Sequence, residues 1–77
     1  FPGIFAFRVV IFPDARGACV AAVGATLGDD AVVEVLEKSS RNGRYLSLHL
    51  RAQVPHAEAV LEVWAVLAAV RGVVMSL

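Results

Sequence analysis

The feature that most constrains this chain is a polar turn from which a regularly alternating strand emerges: Ser40-Arg41-Asn42-Gly43-Arg44, followed by Tyr45 to Gln53. Leu46, Leu48, Leu50 and Ala52 fall at every second place, with Tyr45, Ser47, His49, Arg51 and Gln53 between them. Successive strand side chains point to opposite faces, so this period of two predicts one apolar face and one polar face. A sheet covered by helices on one side only has that pattern. Asn42-Gly43 marks a hairpin, because both residues tolerate φ > 0. The preceding run, Ala31 to Lys38, supplies its other strand, as the β-branched Val32, Val33 and Val35 indicate. Asp29 or Asp30 could instead cap a helix that pairs Glu34 with Lys38 at i,i+4, but the valines and the turn that follows favour a strand.

The rest of the chain arranges itself around this hairpin. Ile4 to Phe12 is rich in Phe, Val and Ile and is stopped by Pro13, which predicts a strand burying Phe5, Phe7, Val9 and Ile11, with Ala6, Arg8 and Val10 on the other face. Asp14 is the expected N-cap of a helix from Ala15 to Leu27, with Val20, Val23 and Leu27 at helical spacing and Gly28 closing it. Gly24 within that helix implies close approach to the sheet. Pro55 is the expected start of a second helix, with Glu58 near the positive end of its dipole. Val60, Val63, Trp64, Leu67 and Val70 form its core stripe, with Arg71 in the last turn and Gly72 at the C-cap. Val73 to Leu77 closes the chain as a strand with Val73, Met75 and Leu77 inward. The order β-α-β-β-α-β predicts an α+β, ferredoxin-like fold in one domain over residues 1–77: a four-stranded antiparallel sheet, first and third strands central, both helices on one face.

Composition restricts the partners. The 77 residues are 58% hydrophobic, more than one small core can hide, so a face meeting a second copy is expected and the chain reads as a homodimer. Seven basic and seven acidic side chains give zero formal charge, which argues against nucleic-acid binding and against a polybasic membrane anchor. The apolar run Val63 to Val70 falls far short of the ~20 residues that span a bilayer. Arg8 and Pro13 interrupt the first apolar stretch, so it is not read as a signal peptide. The lack of an initiator methionine suits a trimmed or partial sequence. One cysteine, Cys19, excludes an internal disulfide and suits a reducing cytoplasm.

At this point the hairpin is recognisable. Ser40-Arg41-Asn42-Gly43-Arg44-Tyr45-Leu46-Ser47 with Leu48, Leu50 and Ala52, joined by Phe1-Pro2, Phe5, Phe7, Arg8 and Val9 at the start and by Val73, Met75 and Leu77 at the end, resembles a family of small bacterial proteins of unknown function. Some members carry the label of lipoic acid-binding regulatory proteins because of neighbouring lipoate-synthesis genes. The resemblance implies a fold like that of the ACT regulatory domain, a dimeric sensor of small molecules. The chain departs from the pattern at Ile11, where Gly is common, and at Pro55, where Thr or Ser is usual and would cap the second helix.

Two readings apply to the polar residues. Tyr45, Ser47, His49 and Arg51, with Arg8 alongside, form either a solvated sheet face or a platform for a small anionic metabolite such as a carboxylate. Arg41, Asn42, Gly43 and Arg44 either build a soluble turn or grip an anion through guanidinium and backbone N–H groups. His49 and His56 lack acidic or cysteine neighbours at metal spacing, so neither a metal nor a cofactor is expected. Cys19 reads as a small buried hydrophobe and Trp64 as a core or interface anchor. No catalytic constellation is present. The chain therefore reads as a non-catalytic regulatory or binding module for a small carboxylate or a partner protein. One competitor is an RNA-binding module of RNA-recognition-motif topology, faintly suggested by Ile4-Phe5 and Gly43-Arg44-Tyr45 but lacking a second stacking ring at Ser47. The other is an acylphosphatase-like hydrolase using Arg16 and Asn42, whose loop Phe12-Pro13-Asp14-Ala15-Arg16-Gly17 places an aspartate where phosphate would sit.

Overall fold

The computed structural model describes residues 3–76. Strands β1 (Gly3–Ile11), β2 (Val32–Ser39), β3 (Leu46–Val54) and β4 (Val73–Ser76) form one sheet in the order β2-β3-β1-β4. Helix α1 (Arg16–Leu27) joins β1 to β2 and helix α2 (Ala57–Ala69) joins β3 to β4. Every strand pair is antiparallel. This is the ferredoxin-like α+β arrangement, with β1 and β3 central.

The alternation of β3 is realised without exception: Leu46, Leu48, Leu50, Ala52 and Val54 are buried, while Ser47 and His49 are half-buried and Arg51 and Gln53 exposed. Phe7, Val9 and Ile11 of β1 lie on the same buried face. Against it pack Cys19 and Val23 from α1 and Ala59, Val63 and Leu67 from α2. The Trp64 ring meets Phe7 edge-on, with centroids 5.3 Å apart, a geometry favoured by the ring quadrupoles. Burial pushes the Cys19 thiol above its ordinary range, which lowers its share of the nucleophilic thiolate form.

Several local expectations are corrected. Asp14 does not cap α1: it lies in a 3-10 turn, Pro13–Ala15, and the helix starts at Arg16 after Ala15, with no side-chain cap. Pro13 favours that tight turn by holding φ. Gly24 does not admit the sheet; a Cβ there would meet Asp29 Oδ1 at 3.1 Å, so it makes room for the chain folding back after Gly28. Pro55 stands outside α2. The N-cap is His56, whose Nδ1 accepts the Ala59 N–H at 3.2 Å, so an imidazole satisfies a group that a hydroxyl would otherwise cap.

The far end of α2 also differs. The helix stops at Ala69, and Arg71 and Gly72 lie beyond it in a turn closed by Val73 N–H to the Val70 carbonyl, 3.3 Å. Gly72 takes φ 98° at the third position of that turn, and a Cβ there would stand 2.8 Å from Ala15 Cβ. Both conditions favour glycine. In β4, Val73 faces Ile11 but Met75 faces Val10, because the register shifts between them. That irregularity turns Met75 to the uncovered face, where it is half exposed, instead of inward. The expected inward Leu77 lies outside the described residues.

Candidate functional site

The cross-strand register decides which polar side chains meet on the uncovered face. Arg8 of β1 lies opposite His49 of β3, and Val10 opposite Ser47. Across the other side of β3, Leu36 of β2 lies opposite His49, Lys38 opposite Ser47 and Glu34 opposite Arg51. The face is therefore a grid with His49 at its middle.

Two contacts organise this grid. Arg8 Nε donates to His49 Nε2 at 3.2 Å, which makes that ring nitrogen the acceptor of the pair. Arg8 makes no ion pair among the described residues. Its terminal fork is left for a planar acceptor, the arrangement that binds a carboxylate with two parallel hydrogen bonds. Arg51 is different: its guanidinium donates to Glu34 Oε1 at 3.0 Å, which neutralises it within the chain. Beside His49 and Ser47 a shallow cavity of about 200 Å³ is lined by Leu36, Glu37, Lys38, Ser47 and His49. Ile4, Leu36 and Met75 leave roughly half their surface exposed, so apolar surface borders the polar centre.

The hairpin residues form a separate group at the end of the sheet. The Ser40 N–H donates to the Tyr45 carbonyl at 2.9 Å, and the Gly43 N–H to the Ser40 carbonyl at 3.0 Å. Asn42 Oδ1 accepts from the Arg44 N–H and from the Ser40 hydroxyl, while Ser40 Oγ accepts the Tyr45 N–H. Only Gly43 of the pair takes positive φ, 72°. Asn42 and Gly43 are thus engaged in closing the loop. Arg41 and Arg44 are exposed and make no ion pair among the described residues. The Tyr45 ring lies against Phe12, centroids 5.5 Å apart.

Arg8, Ser47, His49 and Arg51 therefore share the uncovered face, Tyr45 stands at its end, and Arg41 to Arg44 project beyond it. Sequence reasoning missed Glu34, Leu36 and Lys38, which the register brings onto the same face. The hairpin signal with two-residue alternation before Ser40 was the clue to them. Among the described residues no group of three or more His, Cys, Asp and Glu side chains could hold a metal ion, and no helix is long and apolar enough to cross a membrane.

A family model described as a protein of unknown function, DUF493, matches residues 1–77. The chain belongs to that family. Among solved structures, the solution structure of protein HP0495 from H. pylori is similar over the whole of this chain and 82% of its own, with a TM-score of 0.85 at 15% sequence identity. At that identity the likeness speaks for the fold. No curated protein matches the chain. The family's description assigns no role to Arg8 or His49, so any role rests on their geometry.

Proposed function

We propose that this chain is a non-catalytic binding module whose uncovered sheet face receives a small carboxylate. The observation that carries the reading is Arg8: it is exposed at the middle of the face, oriented through Nε by His49, and has no carboxylate partner among the described residues. The His49 bond fixes the plane of the guanidinium and leaves its terminal nitrogens to grip two oxygens at once. Met75, opposite Val10 of β1, and Leu36, on the far side of His49, offer apolar surface on the same face, which suits an acid with a hydrocarbon chain better than a fully polar one. That class includes lipoate and octanoate, in keeping with the lipoate label attached to similar proteins and with a sensor role of the ACT type.

The competing classes find less support. An RNA-recognition surface needs stacking rings at the middle of β1 and β3, where this chain has Arg8 bonded to His49. An acyl-phosphate hydrolase needs a phosphate-cradling loop after β1, and that segment is a 3-10 turn bearing the exposed Asp14.

The test is a chemical-shift titration of labelled protein with lipoate, octanoate and a set of amino acids. Shifts at Arg8, Ser47 and His49 with the first two are expected, and Arg8→Ala should weaken them by roughly ten-fold, the scale of a charged hydrogen bond. Unmoved amides on β1 and β3 with every acid would overturn the reading and favour a partner protein.

A further inference from the structure

The geometry points to β2 as a self-complementary edge: we propose that two copies join through antiparallel β2 strands across a two-fold axis at Leu36, making one continuous sheet. The proposal does not rest on the carboxylate reading, because it concerns the sheet edge and needs no ligand.

The argument starts from which backbone groups are free. β2 is an outer strand of the sheet, and β3 is its neighbour. The Ser40 N–H bonds to the Tyr45 carbonyl, so the Ser40 N–H turns towards the β3 side, and this orientation recurs at every second residue of an antiparallel strand. Lys38, Leu36 and Glu34, opposite Ser47, His49 and Arg51, are then the residues whose N–H and C=O groups turn towards β3. Those of Val35, Glu37 and Ser39 point outward from the edge. An unpaired row of this kind is a template for another strand. The other outer strand, β4, has four residues against the eight of β2, which makes it the poorer template; the irregularity that β2 itself carries lies between Val32 and Glu34, before the Glu34–Lys38 segment.

Register follows from charge. An antiparallel two-fold must match outward groups with outward groups, so the axis passes through a residue and not between two. An axis at Glu34, Glu37 or Lys38 sets like charges face to face, and one at Val35 sets Glu34 against Leu36. Only the axis at Leu36 opposes unlike charges among these positions: Glu34 faces Lys38 of the second copy, and Lys38 faces its Glu34. Val35 and Glu37 then exchange main-chain hydrogen bonds across the seam, and Leu36, half exposed in the single chain, meets its own copy. Leu36, Glu34 and Lys38 fall in the wide pairs, where opposed side chains approach most closely.

The charges already in place agree with this register. Glu34 holds Arg51, so the seam would alternate Arg51, Glu34 and the partner's lysine. Lys38 has no acidic partner among the described residues. A lone edge lysine normally discourages strand addition; opposite a glutamate it becomes an attachment. Glu37, on the helix side, is held by Arg16 of α1, so it adds no unpaired negative charge to the seam. Both uncovered faces remain open in the pair and merge into one surface.

Sedimentation of the ligand-free chain, with circular dichroism to check folding, tests the proposal. A dimer is expected at micromolar concentration. Glu34→Lys and Lys38→Glu should each raise the dissociation constant roughly ten-fold, by setting like charges opposite one another. The double variant E34K/K38E should restore it to within about three-fold, because the swapped pair is again unlike. Val35 and Glu37 amides should gain protection from hydrogen exchange as concentration rises. A monomer up to high micromolar concentration, an absence of rescue in the double variant, or new protection at Val73–Ser76 instead would overturn it.

Discussion

The two faces of this sheet are written by the same strands and obey different rules. On the covered side, Phe7, Leu48 and Leu50 are wholly enclosed, and their contribution is removal of apolar surface from water. On the uncovered side, the residues one position along, Arg8, Ser47, His49 and Arg51, stay in contact with solvent and hold one another through the Arg8–His49 and Arg51–Glu34 contacts. The contrast teaches that stability and recognition are divided between faces one side chain apart. A change on one face should leave the other's property almost untouched.

The largest effect is expected where that division is most absolute. Leu50→Ala should cost about 2–5 kcal/mol in urea unfolding, because it empties an enclosed site; a loss below ~1 kcal/mol would mean the covered layer collapses freely. Next comes Gly72→Ala, where α1's lead-in approaches the turn before β4. Positive φ and the Ala15 contact together should cost roughly 1–3 kcal/mol, measured as a shift in the same unfolding curve.

A gentler probe of the covered side is pH. Burial raises the Cys19 thiol in the folded chain, so the unfolded chain loses its proton first as pH rises through the ordinary thiol range, about 8.5. Stability should therefore be intact below that range and fall above it. The gap between the unfolding midpoints of the wild type and Cys19→Ala should be constant around neutral pH and change only at the alkaline end. Parallel curves would show that the thiol is not held away from water.

The smallest stability effect belongs to the uncovered face. Arg51→Ala removes an ion pair whose partners are both well exposed, and the change should stay under about 1 kcal/mol. A loss as large as that of Leu50→Ala would break the comparison by showing that the polar grid also carries the fold.

Much of the fold was legible because local period records burial. Alternation along β3 and β1 put the core-facing and open residues on the right faces, though Phe5 is only partly buried, and the stripe through Val63 and Leu67 placed the inner side of α2. The β2 strand was legible from its valines despite the competing Glu34–Lys38 helical pairing. The candidate site was legible only by half. Arg8, Ser47, His49 and Arg51 share a face as their spacing implied, but that Arg8 leans on His49 while Arg51 is neutralised by Glu34 depends on strands far apart in the chain.

What the sequence determined by itself is the assignment of side chains to faces in β1 and β3, since alternation is a property of an unbroken strand alone. What the tertiary structure decided is who stands beside whom. The Ser40–Tyr45 closure sets the β2–β3 register and so delivers Glu34, Leu36 and Lys38 to the site. The irregularity in β4 turns Met75 outward, and the chain's return after Gly28 gives Gly24 its role. Each of these depends on the meeting of segments distant in sequence, where a shift of one residue exchanges every partner, and no local pattern encodes that alignment.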